Sequence, residues 1–264
     1  MTYYTDPACP WSWAAEPGLH RLQAEFGASL QITYVMGGLA REFQKPLETM
    51  RHVLDAAEAS SMPVDPRLWL DNPPRSSYPA SQAVKAAAEQ GLDGPYLRVL
   101  REGIMVERRA LDTPDALIDA ARRVPGVNVE RFAIDLRSNA IVEAFGADIE
   151  RARAAAPETH TAERRRVAFP SFEFRGGDGA AAGVYDSGDV GALRAAALQA
   201  GARVDGGLPG VEEALRRFGR LATPEVAAVC DLPGPRAAAE LWRLASEWRV
   251  RADRALTGEL WLAT

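Results

Sequence analysis

The chain has 264 residues, 47% hydrophobic and 25% charged, with a formal net charge of -5. That is ordinary for a globular protein long enough to bury a substantial core, and the mildly acidic balance gives no global reason to expect nucleic acid as a partner. No run approaches the roughly 20 apolar residues needed to cross a bilayer, and two cysteines far apart in sequence do not make a disulfide-stapled scaffold.

Thr2 to Thr5 is a short β-favouring segment, and Asp6-Pro7-Ala8-Cys9-Pro10 follows it directly. With a motif this early there is no room for a secretory leader, which points to the cytoplasm. A helical pattern then carries Leu19, Leu22 and Phe26 at three- or four-residue spacing and ends at Gly27. Leu30 to Met36 alternates Ile32, Tyr34 and Met36 against polar or smaller residues and reads as a second strand, completing a β-α-β unit.

From Pro46 to Arg137 the pattern is almost entirely helical. Starts are marked at Thr113-Pro114-Asp115 and Asn128-Val129-Glu130, and breaks at Pro63, Pro66, Pro73-Pro74 and Gly94-Pro95. Asn139 to Ala156 predicts a further helix. Ser171 to Phe174 and Ala180 to Tyr185 predict two strands around the turn Gly176-Gly177-Asp178-Gly179, and Val190 to Ala200 a helix closed by Gly201. The last segment predicts helices over Val211 to Phe218, Thr223 to Cys230 and Pro235 to Ala245, then a hairpin of Trp248 to Arg254 with Gly258 to Ala263. Three helices and a hairpin resemble a winged helix-turn-helix.

The chemistry concentrates at Cys9. A thiol is useful as a nucleophile when a fair fraction is thiolate, and a cysteine at a helix start gains this from unpaired amides and the positive end of the dipole. Pro10 suits the first helical position, and Ser12, one turn on, can donate a hydrogen bond to the sulfur. Cysteine is also a common small buried residue, but a structural cysteine needs neither a strand-to-helix turn nor a following proline. Trp11 and Trp13 flank the thiol and either line a groove for an apolar substrate or, for Trp13, pack in the core. Asp71-Asn72-Pro73-Pro74 and Ser76-Ser77-Tyr78 form the polar loop of the helical segment expected to face Cys9. His20, His52 and His160 have no metal-ligand spacing; His20 and His52 read as helix-surface or packing residues and His160 as a loop residue. Cys230 lies in the apolar run Val226-Ala227-Ala228-Val229 and reads as a core residue rather than a resolving thiol.

Asp6-Pro7-Ala8-Cys9-Pro10-Trp11-Ser12-Trp13, Glu16-Pro17 and Met36-Gly37-Gly38-Leu39 resemble the opening of the DsbA-like branch of thioredoxin-fold proteins, in particular its cytosolic FrnE-like members. Ser77-Tyr78-Pro79-Ala80, Ala86-Ala87 and Tyr96-Leu97-Arg98 are similar to the helical insertion of that branch, and Val167-Ala168-Phe169-Pro170-Ser171 to the segment that carries its cis-proline. The resemblance spans Thr2 to Gly201 and implies an α/β thioredoxin fold in a bacterial protein. Its halves are residues 1–45 and 138–203, with a helical insertion at 46–137 and a small winged-helix-like module at 204–264.

The resemblance also implies the site. Cys9, Ser12 and Pro170 are the candidate catalytic residues, and Pro10, Trp11, Trp13 and Phe169 the candidate substrate contacts, with the Phe169 backbone free to pair with an extended substrate. The sequence by itself does not fix the isomer of Pro170; the resemblance implies cis.

One departure matters. Redox-active relatives carry a second cysteine where Ser12 stands, so a mixed disulfide on Cys9 has no adjacent thiol to resolve it. Cys9-Pro10-Trp11-Ser12-Trp13 is also similar to the Ser-Pro-Tyr-Ser-Trp sequence of kappa-class glutathione transferases and chromene carboxylate isomerases, which bind a low-molecular-weight thiol there. Three functions follow: a single-cysteine thiol-disulfide oxidoreductase or thiol transferase completed by an external thiol; a glutathione- or mycothiol-dependent isomerase or transferase; and a non-catalytic adaptor for partner proteins. No tightly bound cofactor or metal is implied. Pro209 to Thr264 holds eight arginines and eight acidic residues, so packing, a lid or a homodimer contact is expected of it before DNA binding, although Arg249, Arg251 and Arg254 could form a basic hairpin edge.

Overall fold

The computed structural model describes residues 1–161 and 164–264. Its main sheet has the order β2-β1-β3-β4, formed by β1 (Thr2–Thr5), β2 (Thr33–Met36), β3 (Ser171–Arg175) and β4 (Ala181–Tyr185). β1 runs parallel to β2 and antiparallel to β3, and β3 and β4 form the hairpin, whose Gly179 has φ +89°, a conformation open to glycine. This β-α-β unit joined to a β-β-α unit is a thioredoxin fold. Tyr3 stacks on Phe172 across β1 and β3 with ring centroids 4.3 Å apart, which contributes packing beyond plain burial.

The helix after Cys9 is broken, a correction to the single helix read from the sequence. α1 covers only Pro10–Ala14 and α2 covers Glu16–Phe26. Pro17 lacks the N–H that would continue the hydrogen-bond ladder through this point. The bend also lets the segment before α10 (Val190–Gln199) approach: a Cβ at Gly188 would lie 2.4 Å from that of Ala15. Strand β2 begins at Thr33 rather than Leu30, because only Thr33 to Met36 find partners on β1.

The insertion folds as α3 (Pro46–Ser60), α4 (Leu68–Asp71), α5 (Tyr78–Ala88), α6 (Asp93–Met105), α7 (Pro114–Ala121) and α8 (Val129–Asp135); α9 (Asn139–Ala154) then leads back to the sheet. Side-chain oxygens of Thr113, Asn128 and Ser138 accept from the third residue of α7, α8 and α9 in turn, the capping that their sequence positions announce. One core is shared between sheet and insertion, with Tyr3, Met36 and Phe172 in the same cluster as Val53, Tyr96 and Leu100.

The C-terminal module has its own core around Val226, Leu241, Leu244 and Trp261. It consists of α11 (Val211–Phe218), β5 (Leu221–Ala222), α12 (Thr223–Val229), α13 (Gly234–Ser246), β6 (Val250–Arg254) and β7 (Glu259–Ala263), with sheet order β5-β7-β6. That is winged-helix topology. β5 is two residues long, too short for any alternation to show in sequence. The module packs through α12 on α2 and through its wing on the insertion, where the Thr257 amide donates to the Val64 carbonyl at 3.2 Å and the Val64 amide to the Thr257 hydroxyl at 2.8 Å. No helix of the described residues is long and apolar enough to cross a membrane.

A buried charge network joins the three parts. Arg98 on α6 bonds Glu16 on α2 at 3.0 Å, Glu225 on α12 at 2.6 and 2.9 Å, and Glu102 at 2.8 Å. Glu225 also meets His20 Nδ1 at 2.8 Å and accepts from the Ala222 amide at 2.6 Å. Removing one partner strands a buried charge, at roughly 3–5 kcal/mol. Burial alone would raise the Glu225 pKa, but the charge of Arg98 and the bond from His20 overcome it and hold the carboxyl at about 2, against an ordinary value of 4.5.

A depressed folded pKa makes Glu225 stabilising above its unfolded value, a contribution lost as pH falls from about 4.5 toward 2. Urea midpoints measured across that interval should fall more steeply in the native protein than in Glu225→Gln, which at neutral pH should be less stable by about 3 kcal/mol. Equal slopes for the two proteins would refute this account.

Candidate functional site

The site grows from the turn between β1 and α1. Asp6 is fully buried and organises it: Oδ1 accepts from the Ala8 amide at 2.9 Å, and Oδ2 accepts from the Leu39 amide at 2.7 Å, the Ser77 hydroxyl at 2.9 Å and the Ser81 hydroxyl at 3.2 Å. Burial pushes its carboxyl up while these donors pull it down. Four donors to one carboxylate fix three segments at once: the Cys9 turn, the loop after β2, and the start of α5.

The polar loop expected to face Cys9 is therefore a clamp on Asp6. Ser77 bonds Asp6, Ser76 donates to the Ala40 carbonyl at 3.1 Å, Tyr78 packs edge-on against Phe145, and Asp71 pairs with Arg108. None of these lines the cavity at Cys9.

Cys9 caps α1 with an extended backbone, φ -79° and ψ 114°, and Pro10 takes the first helical position. The Phe169–Pro170 peptide bond is cis. The Cys9 thiol donates to the Phe169 carbonyl at 3.6 Å. Ser12 is buried beneath it and offers both its hydroxyl and its backbone N–H to the sulfur. The Ser12 oxygen in turn accepts from the Thr5 hydroxyl at 2.8 Å, and Thr5 accepts from Arg101 of α6, a guanidinium with no exposed surface. Arg101 also pairs with Glu16. The Thr5 proton points at Ser12, which leaves the Ser12 proton free to point at Cys9.

The thiol is not the low-pKa group expected from its position at a helix start. Burial pushes Cys9 up, against the pull of the two Ser12 donors. A geometric reason applies as well. The Phe169 carbonyl accepts from the thiol and cannot accept from a thiolate, which favours the protonated form.

The thiol faces a cavity of about 1030 Å³ lined by Pro10, Trp11, Leu39, Phe43, Phe169 and Pro170, with Arg164, Arg166 and His52 among its polar groups. Trp11 is 41% exposed at its edge. Trp13 is not there, which corrects the expectation that it contacts substrate. Residues two apart on a helix point roughly 200° from one another, so Trp13 turns inward, donates to the Pro63 carbonyl at 3.0 Å and lies under Arg98. A Cβ on Gly37 would come within 2.1 Å of the Phe169 ring, so Gly37 is what lets that ring close the cavity wall.

Sequence reasoning did not assign Arg101 or Arg166 to the site, and it read His52, an exposed α3 residue that also lines the cavity, only as a helix-surface or packing residue. Arg101 and His52 come from the insertion, where nothing in their spacing marks them; the run Arg164-Arg165-Arg166 just before Pro170 was the visible signal for Arg166. His20 is buried in the charge network, the packing rather than the helix-surface alternative. His160 bonds the Ala155 carbonyl at 2.9 Å, away from the cavity lining. Cys230 caps α12, is half-buried with its pKa pushed up to about 11, and does not line the cavity.

Glu16, His20 and Glu225 have ligand atoms within 4.8 Å of one another, a metal-like grouping that sequence spacing did not reveal. Arg98 already bonds both carboxylates there. A divalent cation would have to displace that guanidinium, so the chemistry of the donor set does not fit a metal.

A profile of the thioredoxin family matches residues 3–157. The ClpXP adapter protein SpxH of Halalkalibacterium halodurans is 33% identical over 159 residues, 56% of this chain and 52% of that protein. The chain thus spans about half the length of this relative. The ClpXP adapter protein SpxH of Shouchella clausii is 28% identical over 270 residues, 98% of this chain and 86% of that protein. Among solved structures, the cytosolic disulfide reductase DsbM from Pseudomonas aeruginosa is similar with a TM-score of 0.58 at 22% identity, covering 74% of this chain and 94% of its own. A candidate protein disulfide isomerase from Nitrosomonas europaea reaches 0.61 at 18% identity, covering 75% and 96%. These structural likenesses show the fold.

With a raised folded pKa, Cys9 should alkylate slowly at neutral pH and faster as pH climbs through and beyond 9.0, the ordinary value. Ser12→Ala should slow it further at each pH, with the adduct located by intact mass. The same shift makes the protonated thiol stabilising below its unfolded pKa and loses that stability as pH rises. The urea midpoint should therefore drop more between neutral pH and pH 10 (about one unit above the ordinary thiol value) than in Cys9→Ala. A thiol that alkylates rapidly at neutral pH would overturn this electrostatic account.

Proposed function

The chain belongs to the thioredoxin family and has the fold of its DsbA-like branch, and from that premise we propose that it carries out thiol-disulfide exchange at Cys9 with a small disulfide or thiol, a second external thiol completing the cycle. The observation that carries this reading is the placement of a single thiol, beside the Phe169 carbonyl, on the wall of an apolar cavity of about 1030 Å³. That is the size range of small-molecule sites.

In the forward step the Cys9 thiolate attacks one sulfur of RS–SR; a Cys9–S–S–R bond forms and RS⁻ leaves with the electron pair. The Ser12 hydroxyl and amide stabilise the thiolate as it forms and again when it leaves. No second cysteine lines the cavity among the described residues, so the mixed disulfide waits for an external thiol of the glutathione or mycothiol type. The cytosolic DsbM likeness supports a cytoplasmic setting for this chemistry. An isomerase or transferase that binds the thiol without redox change would use the same cavity and would show turnover of an electrophile with no change in thiol oxidation.

A second reading is favoured by a separate observation: the alignment with SpxH of Shouchella clausii runs through 98% of this chain, the C-terminal module included. On it the protein is an adaptor that presents a partner protein to a protease, and Cys9 chemistry is incidental.

Incubation with a small disulfide followed by intact mass should give one adduct on Cys9, removed by added thiol and absent in Cys9→Ala. A Cys9 that stays unmodified at every pH up to 9, with client delivery to a ClpXP-type protease intact in Cys9→Ala, would replace the exchange reading with the adaptor one.

A further inference from the structure

Arg166 stands four residues before Pro170 and lines the same cavity as Cys9. Its guanidinium carbon lies 3.8 Å from the centroid of the Phe169 ring, and Nη1 donates to the Val167 carbonyl at 3.0 Å. Among the described residues it has no ion-pair partner. Asp6, the carboxylate whose charge faces it, is committed to four other donors. Burial accordingly pulls Arg166 below the ordinary arginine value, with only partial support from Asp6 and Cys9. A cation largely withdrawn from water without a direct ion pair among the described residues is costly, and such a group in a cleft is a functional-site candidate.

Arg164 lies on the same wall. Its Nε is buried without a partner among the described residues, and its Nη2 is 3.7 Å from Asp186, a loose pair. Of the other titratable groups at the cavity, Asp189 caps α10, accepting from the Ala192 amide at 2.7 Å, and His52 stands on α3.

We propose that Arg166, with Arg164 beside it, forms an anion-recognition subsite in the Cys9 cavity, and that the small thiol or disulfide exchanging with Cys9 carries a carboxylate. This rests on the reading of Cys9 as the exchange site. A guanidinium presents parallel N–H groups that match a carboxylate in two bonds, and Trp11, Leu39 and Phe43 supply the apolar walls for the stem between acid and sulfur. The exchange balances as before: the thiolate of Cys9 and one sulfur of the bound disulfide join, the old S–S bond breaks, and the departing sulfur leaves as the reduced thiolate, taking a proton from solvent. A neutral thiol lacks the group that Arg166 pairs with.

Three small disulfides of similar size and different charge test this on the full chain: dithiodiglycolate, bis(2-hydroxyethyl) disulfide and cystamine. Rates of adduct formation on Cys9, each divided by the rate with the uncharged thiol 2-mercaptoethanol, should fall in the order anionic, neutral, cationic. At low salt the anionic probe should lead the neutral one by roughly tenfold, and added salt should shrink the ratio. Arg166→Gln should collapse the ratio and Arg166→Lys should restore part of it, with circular dichroism confirming that each variant folds. Normalised rates that ignore charge, or a ratio unchanged in Arg166→Gln, would overturn the proposal. Thiodiglycolate, which has no S–S bond, separates this from the exchange reading. If no probe modifies Cys9 but thiodiglycolate binds the native chain and not Arg166→Gln by calorimetry, exchange fails and the subsite stands; if it does not bind either, both fail.

Discussion

Arg98 carries a charge from the helical insertion into the gap where the first half of the thioredoxin domain meets the C-terminal module, and its planar fork bonds Glu16, Glu102 and Glu225 at once. An arginine with that many acidic neighbours cannot be moved alone, because each carboxylate would then be left in a medium that does not solvate it. Arg101, one turn further along α6, pairs with the second oxygen of Glu16 and reaches Thr5, whose hydroxyl leads to Ser12 and Cys9. The contacts that hold the three parts together therefore end one hydrogen bond from the thiol.

At the thiol, opposing effects have similar reach. Exclusion of water and the Phe169 carbonyl favour S–H; the two donors of Ser12 favour S⁻, and Arg101 adds a smaller pull in the same direction. The outcome is a sulfur that is protonated at rest. Around it the site offers enclosure, two arginines and a single sulfur.

The C-terminal module shows how a topology can be separated from its familiar use. Its helices and sheet are those of a winged helix, yet the wing is pinned to Val64 and α12 is packed on α2. On α13, Arg243 bonds Glu240 and Glu247, and beyond it Arg249 bonds Glu212 and Glu247. These arginines are occupied with carboxylates, which is a poor arrangement for phosphates. The wing and α12 are the parts of this module that hold it to the rest of the chain.

Local rules in the sequence determined a good deal. Thr113, Asn128 and Ser138 announced helix starts because capping is a contact within one turn; Gly176 to Gly179 announced a hairpin; and the placement of Cys9 between a strand and Pro10 announced the candidate site. Burial was less legible, since Trp11 and Trp13 carry identical side chains and only the direction of α1 decides which meets the cavity. Tertiary structure alone decided the state of the thiol and the company it keeps: Arg101 and Phe169 reach Cys9 from positions 92 and 160 residues away, and Glu225 reaches Arg98 across a separate module. Electrostatics inside a protein depends on distance in space and exclusion of water, and neither quantity is written in the order of the residues.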